Sequence, residues 1–158
     1  MSPLASPRLV KLAIVVAAAV AWRASAQRDL ALHKPVRISS VRLGDPAGAV
    51  NGFVEWGSYA VHTNRDSPAW FLVDLQESHR IGEVRVYGRG DGYLIDGPPM
   101  AVEVSKDGQH FERSISCETA VTQLSPCHVD MRGAAARYVR VQHRTHLVLS
   151  EVEVFEAR

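Results

Sequence analysis

Short runs in which apolar and polar residues alternate dominate the sequence after its first thirty residues. Every second side chain is a valine in residues 83–86, 102–105, 138–141 and 152–155. Successive side chains of a strand point to opposite faces, so this period of two indicates strands with one buried face. No window of eleven or more residues beyond residue 26 has a convincing helical period, so helices should be few and short.

The breaks between these runs have the chemistry of turns. Asp107-Gly108 separates residues 102–105 from His110-Phe111 and predicts a β-hairpin. Gly97-Pro98-Pro99 closes a loop, because proline is excluded from central strands. Residues 41–69 and 89–99 have few strand signals, and long loops on a rigid sheet usually carry function. We therefore predict an all-β domain, either a sandwich or a barrel.

The first 26 residues differ from the rest and predict export. Arg8 and Lys11 precede an apolar run over residues 12–22, and Ala24-Ser25-Ala26 has the small-x-small pattern of a cleavage site. The run is shorter than the roughly 20 residues that a membrane span needs. We expect residues 1–26 to be a cleavable signal peptide and residues 27–158 to be a single domain, secreted or periplasmic, with no transmembrane anchor. An uncleaved anchor is the alternative.

The net charge limits the kinds of partner that the chain can bind, and the cysteine content predicts a disulfide. The first 26 residues contain three of the 18 basic residues and none of the 17 acidic ones, so the remainder has a net charge of −2. This near-neutral balance argues against nucleic acid as a partner. An even pair of cysteines in an exported chain, Cys117 and Cys127, predicts a disulfide.

A group of polar residues in the long loops suggests a binding site rather than an active site. No motif supplies a complete catalytic set, so we expect no enzyme activity. Arg89 lies in a glycine-rich turn beside Asp91, and an acid can hold the guanidinium still while it donates to a ligand. With His62 it suits sugar hydroxyls, and Tyr93 or Trp56 would supply an apolar wall. The alternative for Arg89 is an ordinary surface arginine.

Several segments, taken in order, resemble one family. The chain resembles the discoidin family, the type C domains of coagulation factors, over residues 28–157. The matching segments are residues 29–35, 67–75, 81–87, 104–108, 136–141 and 149–154. The resemblance implies an eight-stranded antiparallel jelly-roll barrel or β-sandwich with its ligand loops at one end.

Within that family the chain is most similar to the fucose-binding F-type lectins. Their signature is a His, 26 residues, an Arg, one residue, an Asp, four residues and a final Arg or Lys. His62, Arg89 and Asp91 match at the right spacing, whereas Asp96 is an acid where a base is expected. The resemblance therefore implies a lectin-like module for a glycan or glycoconjugate, with the identity of the sugar left open by Asp96.

The same resemblance implies a structural calcium ion near the sugar loops. Its ligands would come from Gly48, Asn51, Phe53, Tyr59, Ser150 and Glu151. Calcium takes six to eight oxygens, and Asn51 stands where the lectins have an Asp, so one negative charge is lost. Other discoidin branches are cell-adhesion modules that bind protein or phospholipid through these loops, and that alternative stays open, as does the oligomeric state.

Overall fold

The computed structural model describes residues 27–54, 56–92, 99–118 and 121–158. The predicted signal peptide lies outside these residues. Tyr93 and Asp96, two residues of the predicted binding site, also lie outside them. In the described part, a single 3-10 helix, Pro46–Val50, accompanies nine strands. The strands are β1 (Val36–Ile38), β2 (Leu43–Gly44), β3 (Val61–His62), β4 (Ala69–Tyr87), β5 (Met100–Ser105), β6 (Phe111–Cys117), β7 (Cys127–His143), β8 (Val148–Leu149) and β9 (Glu151–Glu156).

The strands form two antiparallel sheets. The larger sheet has the order β1-β4-β7-β5-β6, with β9 also paired to β4, and the smaller sheet has the order β2-β3-β8. β4 is long enough to pair along two parts. Residues 69–74 pair with β7, and residues 71–73 among them also pair with β1. Residues 79–86 pair with β7 again, and residues 81–87 pair with β9. A register break between Asp74 and His79 separates these two parts.

The all-β antiparallel prediction is confirmed, and of the two forms predicted, a jelly-roll barrel or a β-sandwich, the structure has the sandwich. Among the described residues β6 pairs with β5 alone, and β1 and β9 each pair with β4 alone, so the larger sheet keeps open edges. The three strands of the smaller sheet have two residues each and do not close it. The fold is therefore an open β-sandwich.

The core follows the predicted alternation of side chains. The valines of the four period-two segments are all at most 3% exposed: Val84, Val86, Val102, Val104, Val139, Val141, Val152 and Val154. Burying one such side chain contributes about 1.5–3 kcal/mol. The core therefore spans both parts of β4 and β7 and fixes the loops that leave their ends.

The predicted hairpin and disulfide are both present. β5 and β6 pair around Asp107, whose Oδ1 accepts hydrogen bonds from the Gln109 and His110 amides at 2.8 Å. Gly108 takes a φ of 76°, a left-handed value that favours glycine. Cys117 at the end of β6 is bonded to Cys127 at the start of β7.

Candidate functional site

Arg89 and Asp91 form a fixed ion pair in the turn that follows β4. The Nε and Nη2 atoms of Arg89 donate to the two carboxylate oxygens of Asp91 at 2.6 and 2.7 Å. The two side chains are 14% and 24% exposed, so the pair is held at the surface but shielded from much of the solvent. A bidentate, charge-assisted pair of this kind sets the plane of the guanidinium.

Tyr59 contacts both this pair and His62. The Arg89 Cζ atom is 5.4 Å from the centroid of the Tyr59 ring, and the His62 ring is 5.7 Å from it, edge to face. Nδ1 of His62 is 2.5 Å from the Thr63 carbonyl, which can accept only, so Nδ1 carries the proton. Nε2 is then the acceptor of the neutral ring. The structure thus brings His62, Arg89 and Asp91 together.

Trp56 lies on a pocket that also reaches Arg89. The pocket has a volume of about 240 Å³ and is lined by Trp56, Gly57, Arg89, Gly90, Gly92, Thr122, Gln123 and Leu124. The side chains of Trp56 and Leu124 are 70% and 85% exposed, an unusual position for large apolar groups. Tyr93, the other predicted wall, lies outside the described residues, and Leu124 was not predicted because nothing in its local sequence marks it.

The Gln123 side chain links two other segments of the chain around the pocket by hydrogen bonds. Its Oε1 accepts from the Gly57 amide at 3.1 Å, and its Nε2 donates to Ser58 O at 3.1 Å and to Ser150 Oγ at 2.9 Å. The side chain is buried, and a Cβ on Gly90 would lie 1.8 Å from Oε1. A side chain at position 90 would therefore have to displace the Gln123 amide from its hydrogen bonds. Sequence reasoning missed Gln123, because its partners are remote in the chain.

Glu151 is the one carboxylate of the predicted calcium ligands, and it is buried. Its Oε1 accepts from the Gly52 amide at 2.9 Å, whereas Oε2 has no hydrogen-bond partner. Burial raises the pKa of the Glu151 carboxyl to about 8, although bonds from the Gly52 and Asn51 amides oppose the shift. A buried carboxylate oxygen without a partner is costly unless a proton or a cation neutralises it.

The other predicted ligands come from the surrounding loops. Gly48 packs on Ala60, and the Ala60 amide donates to Leu149 O, so these loops meet beside Ser150 and Glu151. Asn51 Oδ1 already accepts from the Phe53 amide at 2.7 Å. No group of three or more His, Cys, Asp or Glu suited to a metal occurs in the described part of the chain. A cation here would depend on Glu151 and on loop oxygens.

The site lies where loops leave a β-sandwich, and no helix in the described ranges is long and apolar enough to span a bilayer. An open β-sandwich with an arginine, a histidine and an exposed tryptophan near the ends of its strands is compatible with a galactose-binding-like module. A family model described as a NedA-like, galactose-binding domain of the F5/F8 type C group matches residues 48–141, more than half of the chain. The chain belongs to this family.

Solved structures place the chain near sugar-binding members of the fold. A fucose-binding module of Streptococcus pneumoniae is 28% identical, with a TM-score of 0.73 over 84% of this chain and 98% of its own. The lectin domain of lectinolysin, solved with Lewis B antigen, is 28% identical, with a TM-score of 0.74 over 83% and 98%. A striped bass F-lectin, 22% identical with a TM-score of 0.71 over 83% and 48%, shares the fold. No curated protein matches the chain.

Proposed function

We propose that the protein is an exported, non-catalytic, lectin-like module that binds a glycan through His62, Arg89 and Asp91. The observation that carries the proposal is the Arg89 guanidinium, locked by Asp91 beside His62 and opening onto a pocket with an exposed tryptophan. The sugar-binding solved relatives support the same class of ligand.

The chemistry of these residues suits a sugar. Arg89 would donate to hydroxyl oxygens, while Nε2 of the neutral His62 ring would accept from a hydroxyl. Trp56 and Leu124 would cover the apolar C–H face of the ring, since aromatic walls with a few fixed polar groups are typical of ligand pockets. Because Asp91 already orients Arg89, the Arg89 side chain would lose little conformational entropy when a sugar binds.

We also propose a bound calcium ion, and the oxygen atoms of the predicted ligand residues suit such an ion. The buried, unpartnered Oε2 of Glu151 is the kind of oxygen that a hard cation takes. Glu151 would hold the ion with oxygens of the loops around Gly48, Asn51, Phe53, Tyr59 and Ser150. The bound ion would supply positive charge that makes burial of this carboxylate favourable and ties the loops together.

Export is proposed from two features. Residues 1–26 have the pattern of a signal peptide, and the Cys117–Cys127 bond is typical of an oxidising compartment. The destination would be the periplasm or the medium.

A glycan array with the purified protein and an Arg89→Ala variant tests the function. We expect selective binding by the wild type and a loss of at least tenfold in affinity for the variant, because a desolvated charged donor is removed. Lys106→Ala, in the exposed β5–β6 turn, is the matched control and should bind like the wild type. Equal binding by Arg89→Ala and the wild type would refute the assignment.

The second candidate is adhesion to protein or phospholipid through the same loops. Phe53, Trp56 and Leu124 are each at least 70% exposed, and such apolar loop tips suit insertion into a bilayer. A blank array combined with co-sedimentation of the folded protein with phosphatidylserine vesicles would favour this candidate over the lectin.

A further inference from the structure

An open groove lies where the pairing of β4 with β7 changes register, remote from the pocket of Trp56. It has a volume of about 420 Å³, and its lining includes three exposed arginines, Arg80 on β4, Arg132 on β7 and Arg158 after β9. Along β4, Arg80 lies roughly 20 Å from the end of the strand, where the turn of Arg89 begins. The groove is therefore a separate surface from the candidate sugar site.

A bulge in β7 brings the arginines together. Between two successive pairs with β4, more residues of β7 than of β4 intervene, and Arg132 and Gly133 there take left-handed φ values of 52° and 69°. A Cβ at Gly133 would lie 3.1 Å from Nη2 of Arg80, so the guanidinium rests on the bulge. The Ala157 amide donates to the Arg80 carbonyl at 2.7 Å, which brings Arg158 to the same place. A residue with a side chain is uncommon in the left-handed region, and such conformations concentrate at functional sites.

The acidic residues that also line the groove have partners of their own. Both carboxylate oxygens of Glu83 accept from Arg85 at 3.0 Å. Oδ1 of Asp130 accepts from a backbone amide of the bulge at 2.8 Å. Oε1 of Glu156 lies 3.6 Å from Nδ1 of His79. These carboxylates are therefore engaged away from the three arginines.

The guanidinium groups of the three arginines are available to a ligand. Within the described ranges, Arg80, Arg132 and Arg158 have no side-chain hydrogen bond and no ion pair. A carboxylate has two oxygens, which one guanidinium can occupy, as Arg89 does with Asp91. A tetrahedral oxyanion has more oxygens and can accept from several arginines at once, and arginine is the preferred residue for such groups.

We infer that this groove is a second binding site, which takes a sulfate or phosphate group, either as the free ion or as a substituent of an anionic polysaccharide. The inference does not depend on the proposed sugar site. The protein would bind its glycan at one end of β4 and an oxyanion at the bulge.

Calorimetry with a heparin octasaccharide, and thermal melting in inorganic sulfate or phosphate, test the site. An Arg80→Gln/Arg132→Gln variant should bind the octasaccharide at least about tenfold more weakly than the wild type, because two charged donors are removed. Millimolar sulfate or phosphate should raise the melting temperature of the wild type above that in chloride of equal ionic strength. The double variant should show no such increase.

Arg37→Gln/Arg42→Gln is the matched control. It removes the same charge from two exposed arginines, one on β1 and one just before β2, and should behave like the wild type. Equal losses in both double variants would reduce the effect to net charge and overturn the site. Equal binding by the wild type and Arg80→Gln/Arg132→Gln, or no binding of any of the three anions, would also overturn it.

The remaining measurements identify the source of the oxyanion and check the fold. Tighter binding of the octasaccharide than of inorganic sulfate would identify a polysaccharide, whereas a response to the inorganic ions alone would identify the free ion. If the double variant melts lower in chloride, Arg80→Gln alone, which leaves the bulge intact, gives the same test. The Arg80 variants should keep the wild-type profile on the glycan array. A blank array would leave the expected heparin result unchanged, so this inference and the proposed function fail separately.

Discussion

Arg89 and Gln123 show two ways in which single residues build this site. Arg89 is orientated by Asp91, two positions further along the same turn, and lines the pocket of Trp56. Gln123 lines the same pocket, and its buried side-chain amide forms hydrogen bonds with Gly57, Ser58 and Ser150. The first residue would make contact with a ligand, whereas the second keeps the surrounding backbone in place.

Gln123→Ala should therefore affect both stability and binding. It leaves several partly buried groups without partners, and each such group costs about 1–3 kcal/mol. We expect a lower free energy of unfolding in urea and weaker glycan binding by calorimetry. Gln109→Ala, an exposed position in the β5–β6 turn, is the control. Wild-type affinity in the Gln123 variant would show that the pocket keeps its shape without this amide.

At this scale the sequence could nominate the site residues that are close together along the chain or that match a family spacing. Arg89 and Asp91 could be found because they share one turn, and His62 because its spacing matches a family pattern. Gln123 and Leu124 could not, because they reach the pocket through contacts with segments that are distant in the chain. No periodicity or motif in their own segments marks them.

The β9 strand and the exit of the 3-10 helix together make an element that a cation would complete. Glu151 begins β9 and accepts from the Gly52 amide just beyond the helix, with its second oxygen buried and unpartnered. The Oε2 atom of Glu151 can therefore accept a ligand that no protein atom in the structure provides.

Removal of calcium is therefore expected to destabilise the loops. Millimolar calcium should raise the melting temperature of chelator-treated protein, because a ligand bound only by the folded state stabilises it. Glu151→Gln should abolish the increase. Glu153→Gln, on the same strand and partly exposed beside Arg85, is the matched control and should retain it. A calcium-induced shift that persists in Glu151→Gln would place the ion elsewhere.

Elements with strong alternation were predictable, and the shortest ones were not. The valine-bearing segments all lie in β4, β5, β7 and β9, and Asp107-Gly108 correctly marked a hairpin. β2, β3 and β8 have two residues each, too few to show a period. Because these strands form the smaller sheet, the distinction between a barrel and a sandwich was beyond the sequence pattern.

The whole molecule is held by one continuous core with a single covalent link. The Cys117–Cys127 bond joins β6, an edge strand, to β7 in the interior of the larger sheet. Most of the core lies along the pairings of β4 with β7 and β9, which extend well beyond this bond.

Reduction of the disulfide should lower the melting temperature without abolishing the fold. Closing a loop of this size stabilises by about 2–3 kcal/mol in the chain-entropy model. Circular dichroism with and without reductant measures the shift, and a Cys117→Ser/Cys127→Ser double variant, which should not respond to reductant, is the control. An identical melt for the wild type in both conditions would mean that the bond contributes nothing to stability.

The shared strand β4 has a consequence for how the protein is made. Apart from β1, its partners are β7 and β9, which arrive only in the last part of the chain. Pairings between such distant segments form late and slowly. The sandwich can therefore close only after the ribosome has released the residues of β9, and until then most of β4 lacks its partners.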